Sequence, residues 1–97
     1  MDAQELTLNI AVNLGRIGRW ACAGRVKRIN QFLAETEAYI NQLEQFPKTS
    51  RFNRTFDAFR KSFYELKGEK HFDLIWAEMM FTWANILTHR ALLAVKK

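Results

Sequence analysis

Between residues 52 and 66 the apolar side chains Phe52, Phe56, Phe59, Phe63 and Leu66 recur at spacings of four, three, four and three. A strand would throw alternate members of that set to opposite faces, whereas a helix of 3.6 residues per turn gathers them into one stripe. The stripe therefore predicts a long amphipathic helix with one face to be covered. The rest of the chain follows the same period. Leu6, Ile10, Leu14, Ile17 and Ala21 predict a first helix, capped by Asp2. Val26, Ile29, Leu33, Ile40 and Leu43, flanked by Phe32, predict a second, ending at Phe46 because Pro47 disfavours helix at the residue before it. The loop PKTS supplies Thr49 or Ser50 as the cap of the phenylalanine helix, and Gly68 stops it. A fourth helix is predicted from about Glu69 to Ala94, with Phe72, Ile75, Trp76, Met79, Met80, Trp83, Ile86 and Leu87 covering more than one narrow face.

With one Pro and four Gly among 97 residues, the chain is poor in turn formers for an all-β protein. The expectation is one all-α domain over residues 1–97, a compact antiparallel bundle of about four helices with short connections. Ala11, Gly15, Gly18 and Cys22 form a stripe of small residues that lets another helix approach the first closely. An unbroken helix past Gly24 would carry Arg28 onto the apolar face of Ile10 and Ala21, and burying an unpaired guanidinium is costly, so a break near Gly24 is expected.

The search for catalytic chemistry finds no constellation, and the chain is not expected to be an enzyme. His71 and His89, eighteen residues apart in the sequence, lie about 27 Å apart on one helix and do not share a metal. Cys22 has no neighbouring His and reads as a packed thiol. Glu35 and Glu37, and Glu65, Glu69 and Asp73, read as caps and surface charge. Gly15 and Gly18 match a G-x-x-G loop, but no strand flanks them, and neither P-loop nor dinucleotide-binding spacing occurs. No cofactor and no metal are expected. A single cysteine excludes an internal disulfide, and neither a leader segment nor a membrane span is read from the sequence, so a cytoplasmic protein without membrane partners is expected.

Charge carries the functional expectation. Net charge is +5, with Arg16, Arg19, Arg25, Lys27 and Arg28 unopposed by any acid from Leu6 to Ala34. A second cluster, Lys48, Arg51, Arg54, Arg60 and Lys61, is opposed by Asp57 alone. Arginine donates two parallel hydrogen bonds to phosphate, so clustered arginines point to a polyanion. Arg16, Arg19 and Trp20 share a face opposite the apolar one, where Trp20 offers a platform for a base. The two clusters are expected to line one groove along a phosphodiester backbone without base readout. Trp76, Met80 and Trp83 are expected to anchor a protein partner.

A small, basic, wholly helical chain with arginines on successive helices and apolar residues left for lateral contacts resembles the small subunit of CRISPR effector complexes, in the version corresponding to the C-terminal helical part of the large subunit. The resemblance lies in size, helical pattern and charge rather than in a motif. It implies a non-catalytic subunit that holds guide RNA and target or displaced strand, beside the large and backbone subunits and further copies of itself. The tryptophans Trp20, Trp76 and Trp83 depart from what that family requires. The alternative expectation is a helical adaptor that binds protein and no nucleic acid.

Overall fold

The computed structural model describes residues 1–94, so the end of the expected domain at Lys97 lies outside the described residues. Four α-helices follow one another: α1 (Ala3–Cys22), α2 (Val26–Glu44), α3 (Ser50–Lys67) and α4 (Leu74–Arg90), with a final 3-10 turn at Ala91–Leu93. The chain is an all-α helical bundle, 41 Å long and 20 by 18 Å across.

Each boundary has a local cause. Asp2 accepts a hydrogen bond from the Glu5 amide at 2.8 Å and caps α1. Gly24, at φ 71°, is the one residue among those described with left-handed backbone. Its amide donates to the Ala21 carbonyl at 3.2 Å, and the Arg25 amide donates to the Trp20 carbonyl at 2.9 Å. That pair of bonds is the Schellman ending of a helix, which satisfies the last carbonyls of α1 and turns the chain into α2. The break expected at Gly24 is therefore present.

Two boundaries differ from expectation. Helix α2 stops at Glu44 rather than Phe46, because the Lys48 ammonium reaches back to the carbonyls of Leu43 at 2.7 Å and Phe46 at 2.8 Å. Helix α4 starts at Leu74 rather than Glu69, because Asp73 accepts from the Trp76 amide at 2.9 Å and so caps it. Glu69, His71 and Phe72 thereby fall in the loop after α3.

Contacts between the helices close a ring. Trp20 of α1 meets Phe32 of α2 with ring centroids 4.7 Å apart. Helix α2 is tied to α3 by Glu44 with Arg60 and by Glu37 with Lys67, both at 2.9 Å. Helix α3 is tied to α4 where the Trp83 indole donates to the Ser62 hydroxyl at 2.8 Å and the Trp76 indole to the Leu66 carbonyl at 2.9 Å. Helix α4 returns to α1, with the Phe81 ring lying over Gly18. The order α1, α2, α3, α4 around the bundle puts α1 and α3 on a diagonal.

The core holds Leu6, Ile10, Leu14 and Ile17 of α1, Ile29, Leu33, Ile40 and Leu43 of α2, the four phenylalanines of α3, and Trp76, Met80 and Leu87 of α4. Two threonines extend it. Thr7 and Thr36 are buried, each hydroxyl donating to the carbonyl four residues back, on Ala3 and Phe32. Of the small-residue stripe, Ala11 and Gly18 are buried against neighbours, Gly15 is half-open, and Cys22 is an exposed thiol rather than a packed one. Val26, expected inward, is also exposed.

Candidate nucleic-acid interface

The α1 to α2 turn forms a basic end of the bundle. Arg16 and Arg19 lie on the solvent face of α1, and Arg25, Lys27 and Arg28 follow the Gly24 turn; all five are exposed. None of the five makes an ion pair among the described residues. Arg25 stands at the N-cap of α2 without a side-chain cap bond, so the positive end of that helix dipole adds to the same potential. The sequence placed these five correctly on the surface, divided by the turn.

Trp20 has a different role from the expected free platform. Its ring is half-buried, edge-on against Phe32, with the Arg28 guanidinium 5.9 Å from its centroid. It wedges α1 against α2 and leaves Arg28 held over an aromatic face.

The second cluster divides into engaged and free cations. Lys48 is engaged: it caps the end of α2, and its ammonium lies 5.1 Å from the Phe56 ring. Burial is the main cause that pushes its pKa below the ordinary value of 10.5, with the Arg60 charge acting in the same direction. Arg60 is engaged as well, bonded to Glu44 and Asp57 at 2.9 Å each. The hydrogen bond to Glu44 is the main cause that holds its pKa above the ordinary arginine value. Both residues have partners within the fold, unlike the free cations beside them. Arg51, Arg54 and Lys61 remain exposed on the outer face of α3, without a partner among the described residues.

The single groove expected from the two clusters is not formed. Helices α1 and α3 sit on the bundle diagonal, so their outer faces point to opposite sides. The ends differ too: α1 and α3 run in the same direction, so Arg19, in the last turn of α1, and Arg51 and Arg54, in the first turns of α3, lie at opposite ends of the bundle. Sequence reading could not resolve this, because charge spacing along a chain says nothing about which helices are diagonal.

Tertiary structure adds cations that sequence spacing left out. Arg90, at the end of α4, donates to the Thr55 hydroxyl at 3.2 Å and joins Arg51 and Arg54 at the α3 end. Lys70 and His71 line a shallow hollow of about 350 Å³ together with Gly24, Val26 and Ile29, beside the α1 to α2 turn.

The expected protein anchors are also redistributed. Trp76 and Met80 are buried in the chain's own core and Trp83 is half-buried against Phe59, so none is free to enter a partner. The indole N–H groups of Trp76 and Trp83 are both used within the bundle. The exposed apolar residues of α4 are instead Leu74 (70%), Ile75 (73%) and Met79 (39%). Ile75 and Met79 border a hollow of about 290 Å³ with Leu66 and Trp76.

Among the described residues no three His, Cys, Asp or Glu side chains converge on a metal position, and no helix is long and apolar enough to cross a membrane. Glu65, Glu69 and Asp73, aligned only if one helix ran through Gly68, do not share a helix face: Glu65 is on α3, Glu69 is in the loop and Asp73 caps α4. Compared with family models, curated proteins and solved structures, the chain finds no match in any of the three.

Proposed function

We propose that this bundle is a non-catalytic module that holds nucleic-acid backbone without reading bases. The observation that carries the reading is the exposed set Arg16, Arg19, Arg25, Lys27 and Arg28 at one end of the fold, none of them in an ion pair among the described residues. Like charges crowded on a surface repel one another and do nothing for the stability of the bundle. Their arginine-rich composition suits bidentate contact with phosphate. The resemblance to the small subunit of CRISPR effector complexes extends the reading: the strands held are then guide RNA and target or displaced strand, the neighbours are the large and backbone subunits and further copies of this chain, and the compartment is the cytoplasm.

Binding of a labelled oligonucleotide, followed by fluorescence anisotropy across a salt series, tests the reading. Each duplex phosphate contact contributes about 0.9 to the slope of log affinity against log salt. The pair Arg16→Glu and Arg19→Glu is therefore expected to lower that slope by about 1.8 if each residue makes one contact. An unchanged slope places the contact elsewhere.

A second reading is favoured by one observation, the exposure of Leu74 and Ile75 in the first turn of α4. On that reading the chain is a helical adaptor that covers this ridge with another protein. It predicts concentration-dependent self-association or a helical partner, abolished by Leu74→Ser with Ile75→Ser, and no response to oligonucleotide.

A further inference from the structure

The two free basic surfaces face away from each other, and that geometry bears on how many nucleic-acid segments one copy holds. One surface comprises Arg16, Arg19, Arg25, Lys27 and Arg28 at the α1 to α2 turn. The other comprises Arg51, Arg54 and Lys61 on α3, with Arg90 beside them. The body between them is 20 by 18 Å in section. The surface joining the two carries acids: the outer face of α1 runs back through Val12 and Glu5 to Asp2, α2 presents Glu35 and α4 presents Glu78, all exposed, while along α3 Glu65 is exposed and Lys67 is paired with Glu37 at 2.9 Å, and Lys70 and His71 belong with the α1 to α2 turn.

The class of nucleic acid follows from the aromatics. Proteins that hold single strands stack bases on exposed aromatic rings. Here the ring beside the first surface, Trp20, is packed on Phe32, and the phenylalanines under the second are in the core. Tyr64, 43% exposed, is the exposed aromatic of α3. Its hydroxyl feels the negative charges of Glu37 and Glu44, which disfavour a phosphate there. What remains is exposed guanidinium and ammonium on convex helix faces, which suits the regular phosphate rows of a duplex. A duplex has a persistence length of about 150 base pairs, so a short one does not wrap a 20 Å bundle to reach both surfaces.

We propose that one copy of this chain is bivalent and bridges two separate duplexes, one on the α1 to α2 turn and one on the outer face of α3. This rests on the nucleic-acid reading above and adds to it the number and placement of the sites. The chain is then a crosslinker of duplex segments rather than a clamp around one.

The test uses the full chain and two short duplexes of about 14 base pairs, far below the persistence length, one carrying a donor dye and the other an acceptor. Anisotropy reads binding of one duplex, and energy transfer between dyes reads bridging. The wild-type chain is expected to produce transfer at substoichiometric protein and to lose it at excess protein, when each duplex captures its own copy. Arg16→Glu with Arg19→Glu, and separately Arg51→Glu with Arg54→Glu, are each expected to abolish transfer while anisotropy still reports binding through the remaining surface. The corresponding Arg→Gln pairs are expected to weaken transfer less than the Glu pairs, and all four residues are exposed, so circular dichroism is expected to show the fold unchanged.

Transfer that survives both reversals overturns bivalency, as does its complete absence in a wild-type chain that binds duplex. If one pair abolishes binding and the other changes neither signal, bridging arises from self-association of copies with a single site each, and the proposal falls. Binding of a labelled single strand but not of duplex overturns the bridging of duplexes and leaves the nucleic-acid reading standing, whereas absence of binding to both by the wild-type chain in low salt defeats that reading itself.

Discussion

At Gly18 the Phe81 ring of α4 lies directly against the backbone of α1, and replacement of this glycine by alanine tests the account of the bundle most directly. A Cβ added there lies 2.6 Å from Cε1 of Phe81, 2.8 Å from its Cζ and 2.9 Å from its Cδ1. Carbon atoms in favourable contact are about 3.5 to 4.0 Å apart, so the ring or the helix must withdraw by roughly 1 Å. Overpacking of that kind costs about 1 to 3 kcal/mol. Alanine also returns about 1 kcal/mol of helix propensity relative to glycine, so Gly18→Ala is expected to range from neutral to about 2 kcal/mol destabilised.

The comparison with Gly15, one turn away, removes the propensity term. A Cβ at Gly15 meets only Nη1 of Arg19 at 3.6 Å, an ordinary contact. Gly15→Ala is therefore expected to gain the roughly 1 kcal/mol of propensity without penalty. The two variants should differ by about 1 to 3 kcal/mol, and at about 4 to 8 °C per kcal/mol for a domain of this size their Tm values separate by at least about 4 °C. Thermal melts followed by circular dichroism make the measurement. In a Phe81→Ala background the clash is gone and the gap should close. Equal Tm values for the two alanine variants, or a gap that persists without Phe81, would refute the close approach at Gly18.

Three further outcomes are expected. Asn13 is buried, and its Nδ2 has no hydrogen-bond partner; an unsatisfied buried donor costs about 1 to 3 kcal/mol, so Asn13→Leu is expected to raise the denaturant midpoint, and a lowered midpoint counts against the assignment. Thr49 accepts from the Phe52 amide at 3.2 Å and donates to the Leu93 carbonyl; Thr49→Ala is expected to cost about 0.5 to 2 kcal/mol in chemical denaturation by loss of the cap, and Thr49→Ser to recover most of it. Burial is the main cause that raises the Tyr64 pKa above 10.0, with Glu37 and Glu44 adding to it. The folded state then keeps the phenolic proton where the unfolded chain loses it, so the contribution of Tyr64 is complete below pH 10.0 and falls away as pH rises beyond it. Tyr64→Phe is expected to flatten that part of the alkaline stability profile, and an unchanged profile counts against it.

Much of the fold was legible in the chain, and for a local reason. Helix period, caps and breaks depend on residues three or four apart, so the phenylalanine stripe, the Asp2 cap, a cap at Thr49 or Ser50 and the Gly24 ending could be read before any packing was known, and the structure selects Thr49. The two misplaced boundaries have different causes, one a side chain reaching back across a loop and the other a local cap three residues from its partner that the apolar run upstream of it masked. Lys48 reaches back to the carbonyls of α2, and Asp73 rather than Glu69 starts α4. Burial on the broadly apolar α4 was likewise out of reach, since its sequence shows an apolar surface too wide for one contact but not which part the other helices cover. Trp76 and Met80 went inward, and Leu74 and Ile75 stayed out.

For the candidate interface, the sequence by itself determined that the chain is helical, that its positive charge is rich in arginine and clustered, and that Gly24 divides the first cluster. These are properties of composition and of spacing within one helix. Which cations are available was decided by tertiary structure, because a charge is free only if nothing across the bundle claims it: Glu44, from another helix, claims Arg60, and the end of α2 claims Lys48. The direction each cluster faces was also decided there. Only the ring order of the helices sets α1 and α3 on a diagonal, and that order turns one expected groove into two opposed surfaces.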